Sequence, residues 1–571
     1  MSRKQYNSRN NIADVLTFQK SGTTSSFNPV VSFGGSLRRV SWRLNNGSET
    51  TQTAGNSLSY TGFTSDPNIR TIEMRGSGFI RLNQIFLNGL KIYGNLDLSP
   101  IPNIGGSLFF GSNPNLTGIT HSPSNKNITN YNVIQSNLTG NLDLTPLSGL
   151  AGGFAVNGNS NLTGITHSPS SNIFASYIVH QCNLTGNLDL TPLSGLGGAF
   201  SAYDNSNLTG ITHSPSSRNF TQYFAYDCNL TGNLDLTPLS GLGSNFSIYS
   251  NSGLTSITHS PSPNNFLTYD VSFCNLTGNL YLPFSGLGGS FYVNNNPNLT
   301  GITHVPSSNN FSRYYAYNCN LTGNLDLTPL SGLGGIFQIN SNPNLTGITH
   351  APSSNVFTVY NAFNCNFLGN LDLTPLSGFG GAFNVANSTG LTSITHTLSV
   401  NSVSQYSTYN CNLTGTLDLS KLLNLGASNS GITGYLRINQ NPNLNGIIFP
   451  LSAQFFRNDS NTLGNKAFSL YSCNLDYIDF TPLSGATLVS GATVGRCGID
   501  LQNNNMSTTD VNHILVDFSG NATYNPLGWS NVNLNISGTN GAPDSSSGGY
   551  DGLGARNFLT GSPYNWTITH S

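Results

Sequence analysis

The sequence predicts a mainly β solenoid, a row of short coils stacked along one axis. The first observation behind this is a period. The stretch FSAYDNSNLTGITHSPSSRNFTQYFAYDCNLTGNLDLTPLSGLG, beginning at Phe200, returns about every 46 residues across most of the chain. A fixed period of this length marks an array of structural repeats. The second is that the unit is double. One slot alternates Phe and Tyr through Phe154, Tyr177, Phe200, Tyr223, Phe246, Tyr269, Phe291, Tyr314, Phe337, Tyr360, Phe383 and Tyr406, 23 residues apart with one step of 22. Each 23-residue half is therefore one coil, holding a short strand, a turn and a return segment. No coil can bury its own apolar residues, so neighbours must stack to make the core.

Composition agrees with an ordered array. Charged residues are only 7% of the 571, and Gly, Asn, Ser and Thr take their place. The apolar residues recur in register, so the chain is expected to be a solenoid with an uncharged polar skin rather than a disordered polymer. A net charge of −2 argues against nucleic acid as a partner. Residues 1–91 nevertheless hold 11 of the 20 Lys and Arg, among them Arg38, Arg39, Arg43, Arg70, Arg75 and Arg81. No apolar run is long enough to span a membrane, and the stretch MSRKQYNSRNNIADVLTFQKSG lacks the apolar centre of an export signal.

In chain order, residues 1–28 form a polar N-terminal arm in which Asn10 to Phe18 is expected to be a short helix. Residues 29–84 alternate as strands do (VVSFGG, LRRVSWRL, SLSYTGF, IRTIEMRG), with Asn46-Gly47 as a hairpin signal, and are expected to be a small antiparallel β domain. The solenoid spans 85–505, and counting its turns gives about 18 coils. From Asn412 on, the spacing lengthens to 31 residues, at Asn443, Asn474 and Asn505, as terminal repeats often vary. Residues 506–571 are a C-terminal cap: STTDVNHILVDF carries an N-cap and a helical apolar pattern, and NVNLNISG and the final WTITHS are expected strands. The stretch SSSGGYDGLGARNFLTG between them shows no evident helical pattern.

Tyr223, Ala225, Cys228 and Leu230 fit the second half of the pattern L-x-x-L-x-L-x-x-N/C-x-L, and Phe200, Ala202, Asn205 and Leu208 fit it with one inserted residue. The array thus resembles leucine-rich repeats. Residues 29–84 resemble the immunoglobulin-like modules that precede bacterial leucine-rich arrays. Asn533 to Gly538, Gly541 to Pro543 and Trp566 to Thr569 resemble the closing segment of leucine-rich proteins from Bacteroidetes and their bacteriophages. The resemblance implies binding rather than catalysis.

Two constellations stand out. Six residues beyond the Asn of each NLTG, Asp and His alternate: Asp97, His121, Asp143, His167, Asp189, His213, Asp235, His259, then Tyr281, His304, Asp326, His350, Asp372, His396 and Asp418. In register, each imidazole would lie about 5 Å from a carboxylate, which would raise its pKa; one extra residue in alternate coils would break that register. The second constellation is where the repeats differ. Residues beside the inward ones on each strand are expected to face a concave surface, and they include Tyr203, Asp204, Phe224, Tyr226, Asp227, Tyr249, Tyr292, Tyr315, Tyr317, Phe363 and Tyr409. Tyrosine faces that stack on sugars, beside amides and carboxylates that bond hydroxyls, suit glycan recognition. The cysteines from Cys182 to Cys411 fall one per two coils, too far apart for disulfides, and are expected to be buried thiols. The N-L-T triplets sit in the structural turn of the repeat, and no catalytic, cofactor or metal-binding motif is present.

The expectation is a non-enzymatic bacteriophage virion fibre or decoration protein on the virion surface. It would contact other virion proteins through its N-terminal region and a bacterial surface glycan or protein through the solenoid, with no nucleic-acid partner, membrane insertion or cofactor. The alternatives are an exported bacterial cell-surface adhesin and a purely structural spacer or filament subunit.

Overall fold

A computed structural model describes side chains from Gln84 onward, apart from residues 100, 102–103, 264, 353–355, 377, 379, 397–402, 423–424, 426–433, 452–466, 484–497, 521–528, 530 and 571; before Gln84 it describes strand backbone only. The chain forms two compact units, Met1–Asn275 and Leu276–Ser571.

In the first unit, strands β1 (Asp14–Gln19), β3 (Arg38–Leu44), β4 (Glu49–Ala54) and β6 (Thr71–Gly76) make an antiparallel sheet in the order β1-β6-β3-β4. Of the helix expected over Asn10 to Phe18, Asp14 to Phe18 belong instead to β1, whose Asp14 pairs with Gly76, and Asn10 to Ala13 lie outside the described residues. DVLTFQ contains Val, Thr and Phe, which suit a pleated sheet, and a tertiary partner outweighs a weak local helical pattern. Strands β3 and β4 pair antiparallel as the hairpin signal requires; Asn46 and Gly47 themselves lie outside the described residues. Strand β2 (Val30–Phe33) pairs antiparallel with β5 (Ser57–Ser59) and with β7 (Leu82–Phe86), the first strand of the solenoid.

From β7 on, the unit is a parallel β-solenoid. Strands β9 (Gly106–Phe109), β11 (Ile128–Asn132), β13 (Leu150–Ala155) and β15 (Phe174–Ile178) add to β7 in one sheet. Between them lie return strands, β8 (Tyr93–Asp97), β10 (Asn115–Thr120), β12 (Thr139–Leu144), β14 (Asn161–His167) and β16 (Thr185–Leu190). These pair only two by two, β8 with β10 and β12 with β14.

The expected Phe/Tyr alternation is the spine of the core. Tyr131, Phe154, Tyr177, Phe200 and Tyr223 occupy equivalent positions of successive paired strands. All are fully buried, with centroids of neighbouring rings 4.7–5.9 Å apart. The alternation has a chemical reason. His167 approaches the Phe154 ring edge-on at 5.7 Å and places Nε2 2.8 Å from the Tyr177 hydroxyl. One histidine serves two coils, so one coil in two supplies a hydroxyl and the other a bare ring. A buried hydroxyl needs such a partner.

The coils are tied at their corner by a buried asparagine. Asn205, fully buried, donates from Nδ2 to the carbonyls of Val179 (3.0 Å) in the preceding coil and Ala202 (2.9 Å) in its own; its Oδ1 accepts from Leu184 N–H at 3.1 Å. Asn159 and Asn251 repeat these bonds. Alternate coils place cysteine there, and the Cys228 thiol donates to the Ala202 carbonyl at 3.2 Å. Burial pushes Cys182 up to about 11 and Cys228 to about 12, so both stay protonated thiols, and both are free of disulfides.

The second unit follows the same plan. Phe291, Tyr314, Phe337, Tyr360, Phe383 and Tyr406 stack at 4.9–5.5 Å. Asn342 and Asn441 tie the corners, while Cys319, Cys365 and Cys411 alternate with them. The unit closes with parallel strands at Cys497–Asp500, Val532–Ile536 and Thr567–His570. Helix α1 (Thr508–Ser519) begins at the expected N-cap, Ser507, in a capping box with Asp510. Helix α2 (Gly552–Thr560), which the sequence did not reveal, starts at Asp551, whose side chain accepts from Gly554 N–H. Two glycines within its nine residues hide the helix from propensity. The His513 ring of α1 is clasped between Tyr477 and Tyr550 at 3.9 and 4.0 Å.

Asn205→Ala removes three buried hydrogen bonds and strands their backbone partners. We expect a loss of at least about 3 kcal/mol in urea unfolding, against less than about 1 kcal/mol for the exposed Asn207→Ala.

Candidate functional site

The variable residues lie at the corner that follows each strand of the long sheet. The strands Gly198–Ser201 and Phe220–Phe224 end before Tyr203 and Tyr226. The next residues, Asp204 and Asp227, turn the chain with φ of 54° and 49°. Asp and Asn tolerate this left-handed conformation better than most residues, which explains why Asp, Asn and Ser recur in this column. The expectation of strand-borne residues therefore holds only for Phe224, Tyr292 and Tyr315. Tyr203, Tyr226, Tyr249, Tyr317, Phe363 and Tyr409 all lie past strand ends.

In the first unit the corner makes one column. His180, Tyr203, Tyr226 and Tyr249 stack face to face, with centroids 4.2, 4.5 and 4.6 Å apart and interplanar angles of 6–7°. Phe224 leans on Tyr226 at 5.9 Å. Asp204 and Asp227 stand exposed beside the rings. The sequence suggested ring faces open to stack on sugars, whereas the inner faces of this column cover one another. The coil spacing of about 4.8 Å is close to ring-stacking distance, so identical aromatics on successive corners pack together. The column offers ring edges and phenol hydroxyls instead. Burial, then Tyr203 and Tyr249, then Asp204 and Asp227, hold the Tyr226 phenol up to about 12, which keeps it a neutral donor.

The second unit distributes its corner residues differently. Tyr292 and Tyr315 meet edge to face at 5.1 Å, Tyr315 and Tyr317 lie 5.9 Å apart, and Arg313 Nη1 donates to the Tyr292 hydroxyl at 3.4 Å. Tyr409 joins an amide row: Asn387 Nδ2 lies 2.7 Å from Asn364 Oδ1 and 3.5 Å from the Tyr409 hydroxyl, and Asn410 Nδ2 donates to Asn387 Oδ1 at 2.9 Å. Phe363 is half-buried one residue before Asn364.

The Asp/His alternation is not a ladder of ion pairs. A bulge at Thr163, opposite the step from Gly140 to Asn141, sets Asp143 opposite Thr166 and Leu144 opposite His167. The one-residue shift sends the two side chains to opposite faces. Asp143 points outward and accepts from Thr145 N–H (2.9 Å), Thr145 Oγ1 (2.7 Å) and Thr166 Oγ1 (3.2 Å), and the Thr145 bonds hold its carboxyl below the usual range. The histidine points inward to its tyrosine. Burial lowers His121, His167, His213, His350 and His396 to about 4, and His259 and His304 to about 3, against a small opposing pull from the nearest carboxylate where there is one. The expected rise is thus reversed, because desolvation exceeds attraction to an exposed, screened anion. The Tyr–His bond was not foreseen; its signal was the constant spacing of ten residues between His167 and Tyr177, His213 and Tyr223, and their equivalents.

Among the described residues no group of three or more His, Cys, Asp or Glu is placed to hold a metal ion, and no helix is long and apolar enough to cross a membrane. No protein-family model and no curated protein sequence matches the chain.

The buried histidines set an acid limit. Their folded pKa values lie below the unfolded value of 6.5, so the unfolded chain binds more protons between pH 6.5 and about 4. Their contribution to stability is level above pH 6.5 and falls as pH drops through that window, by up to about 1.4 kcal/mol per pH unit for each histidine. Thermal unfolding midpoints measured from pH 7 to 4 should show this fall, and His213→Gln should make it shallower.

Proposed function

We propose that the chain is a non-enzymatic recognition protein of the leucine-rich-repeat kind, serving as a bacteriophage virion fibre or decoration protein that contacts a bacterial surface glycan. The stacked column His180–Tyr203–Tyr226–Tyr249 supports the recognition reading best. Its rings hold one another in place, so little side-chain freedom remains to be lost on binding. Its hydroxyls and edges stand beside Asp204, Asp227 and Ser250, a row that can both donate to and accept from sugar hydroxyls. The virion setting, and attachment to other virion proteins through the basic N-terminal region, follow from the resemblance of the flanking segments and belong to the same proposal.

The test is binding of the purified protein to bacterial cells and to extracted surface polysaccharide, beside a folded Tyr203→Ala, Tyr226→Ala, Tyr249→Ala variant. We expect saturable binding that weakens at least about tenfold in the variant, as loss of aromatic anchors implies. Undiminished binding by the variant would remove the column from the site.

A further inference from the structure

The return strands are not laddered continuously. Strands β10 and β12 are consecutive in space but belong to different two-stranded sheets, β10 bonded to β8 and β12 to β14. They touch at one end, where Asn137 N–H donates to the Leu116 carbonyl at 3.2 Å and Thr139 Oγ1 to the Thr117 carbonyl at 3.1 Å. Beyond those bonds the ladder stops and a cleft of about 430 Å³ opens between the strands. That volume is in the range of small-molecule sites, roughly 300–1,000 Å³.

The lining specifies the chemistry of the occupant. Ile119 and Leu142 show an apolar edge at its floor, with Leu138 and Leu162 buried beneath them. Thr120, Asn141 and Asp143 stand exposed at its rim. The Thr120 oxygen accepts from Asn95 Nδ2 at 2.9 Å, which leaves its O–H to donate. Asp143 is the single ionised side chain, since His121 is held neutral by burial. One carboxylate with no cation beside it disfavours an anionic ligand, and it can accept two hydroxyls. His121 also lines the cleft. Its Nε2 is taken by the Tyr131 hydroxyl at 2.9 Å, while its buried Nδ1 has no hydrogen-bond partner among the described residues. That nitrogen is closed off from the cleft, as it is in the other buried histidines, so the imidazole lies beside an occupant without bonding it.

We propose that this cleft takes a neutral sugar ring, its apolar face on Ile119 and Leu142 and its hydroxyls on Asp143, Thr120 and the unladdered strand edges. The same residues return 46 positions on, as Thr163, Thr166, His167, Thr185, Asn187 and Asp189, again between strands of separate two-stranded sheets. Successive sites would stand about 10 Å apart, two coil spacings. A linear polysaccharide could occupy several at once, which raises avidity without new contacts. This deepens the glycan reading but places a site away from the tyrosine column.

The experiment follows the imidazole signals of histidine-selectively ¹⁵N-labelled full-length protein, with His121 assigned by His121→Gln. The probes are hexasaccharides of glucose, mannose, galactose and N-acetylglucosamine. We expect at least one to shift the His121 signal saturably at up to millimolar concentration, and Asp143→Asn to weaken that binding about fivefold or more. The triple-tyrosine variant should keep the shift even if cell binding is lost, which separates the two sites. A His121 signal unmoved by every probe, a shift indifferent to Asp143→Asn, or a shift abolished in the triple-tyrosine variant would overturn the proposal.

Discussion

The structure depends on how a stack of coils satisfies its own backbone at a tight corner. Each coil must reverse direction inside the core, where water cannot reach its carbonyls and N–H groups. The Asn205 side chain resolves this by bonding two carbonyls and one N–H across two coils. With the corner so held, the chain can adopt the left-handed φ at Asp204 and Asp227. That turn in turn presents Tyr203 and Tyr226 outward at a fixed spacing. The candidate surface is thus a by-product of the corner chemistry.

The periodic features were legible because they depend on residue type alone. The Phe/Tyr slot, the Asn/Cys corner and the buried thiols needed only counting. Features that depend on direction were not legible. The extra residue of alternate coils could be counted, but its form, a bulge at Thr163 that turns His167 into the core, could not. The stacking of Tyr203 on Tyr226 likewise follows from side-chain direction at a left-handed corner, which a strand pattern misdescribes. At Asp14–Gln19 a helix expectation yielded to a sheet partner 52 to 62 residues away, Gln19 pairing with Thr71 and Asp14 with Gly76, which no local pattern could reveal.

The return strands show how close the fit between coils is. A Cβ added to Gly164 would stand 2.8 Å from Asn141 Oδ1, and one added to Gly210 the same distance from Asn187 Oδ1. The glycine of NLTG therefore makes room for the asparagine of the preceding coil. Where the repeat carries serine instead, its hydroxyl takes up the contact: Ser256 donates to Asn233 at 2.8 Å and Ser393 to Asn370 at 2.9 Å. Either solution satisfies the amide, and larger side chains would force the strands apart.

The pairing of a histidine with a tyrosine one coil away also governs how such an array can change length. Excising a single coil would bring like coils together, leaving a histidine facing a phenylalanine and an asparagine corner beside another asparagine corner. Excising or duplicating two coils restores the His–Tyr bond and the Asn/Cys alternation at the seam. Changes of array length by whole pairs of coils therefore keep that bond and that alternation, and single-coil steps break both.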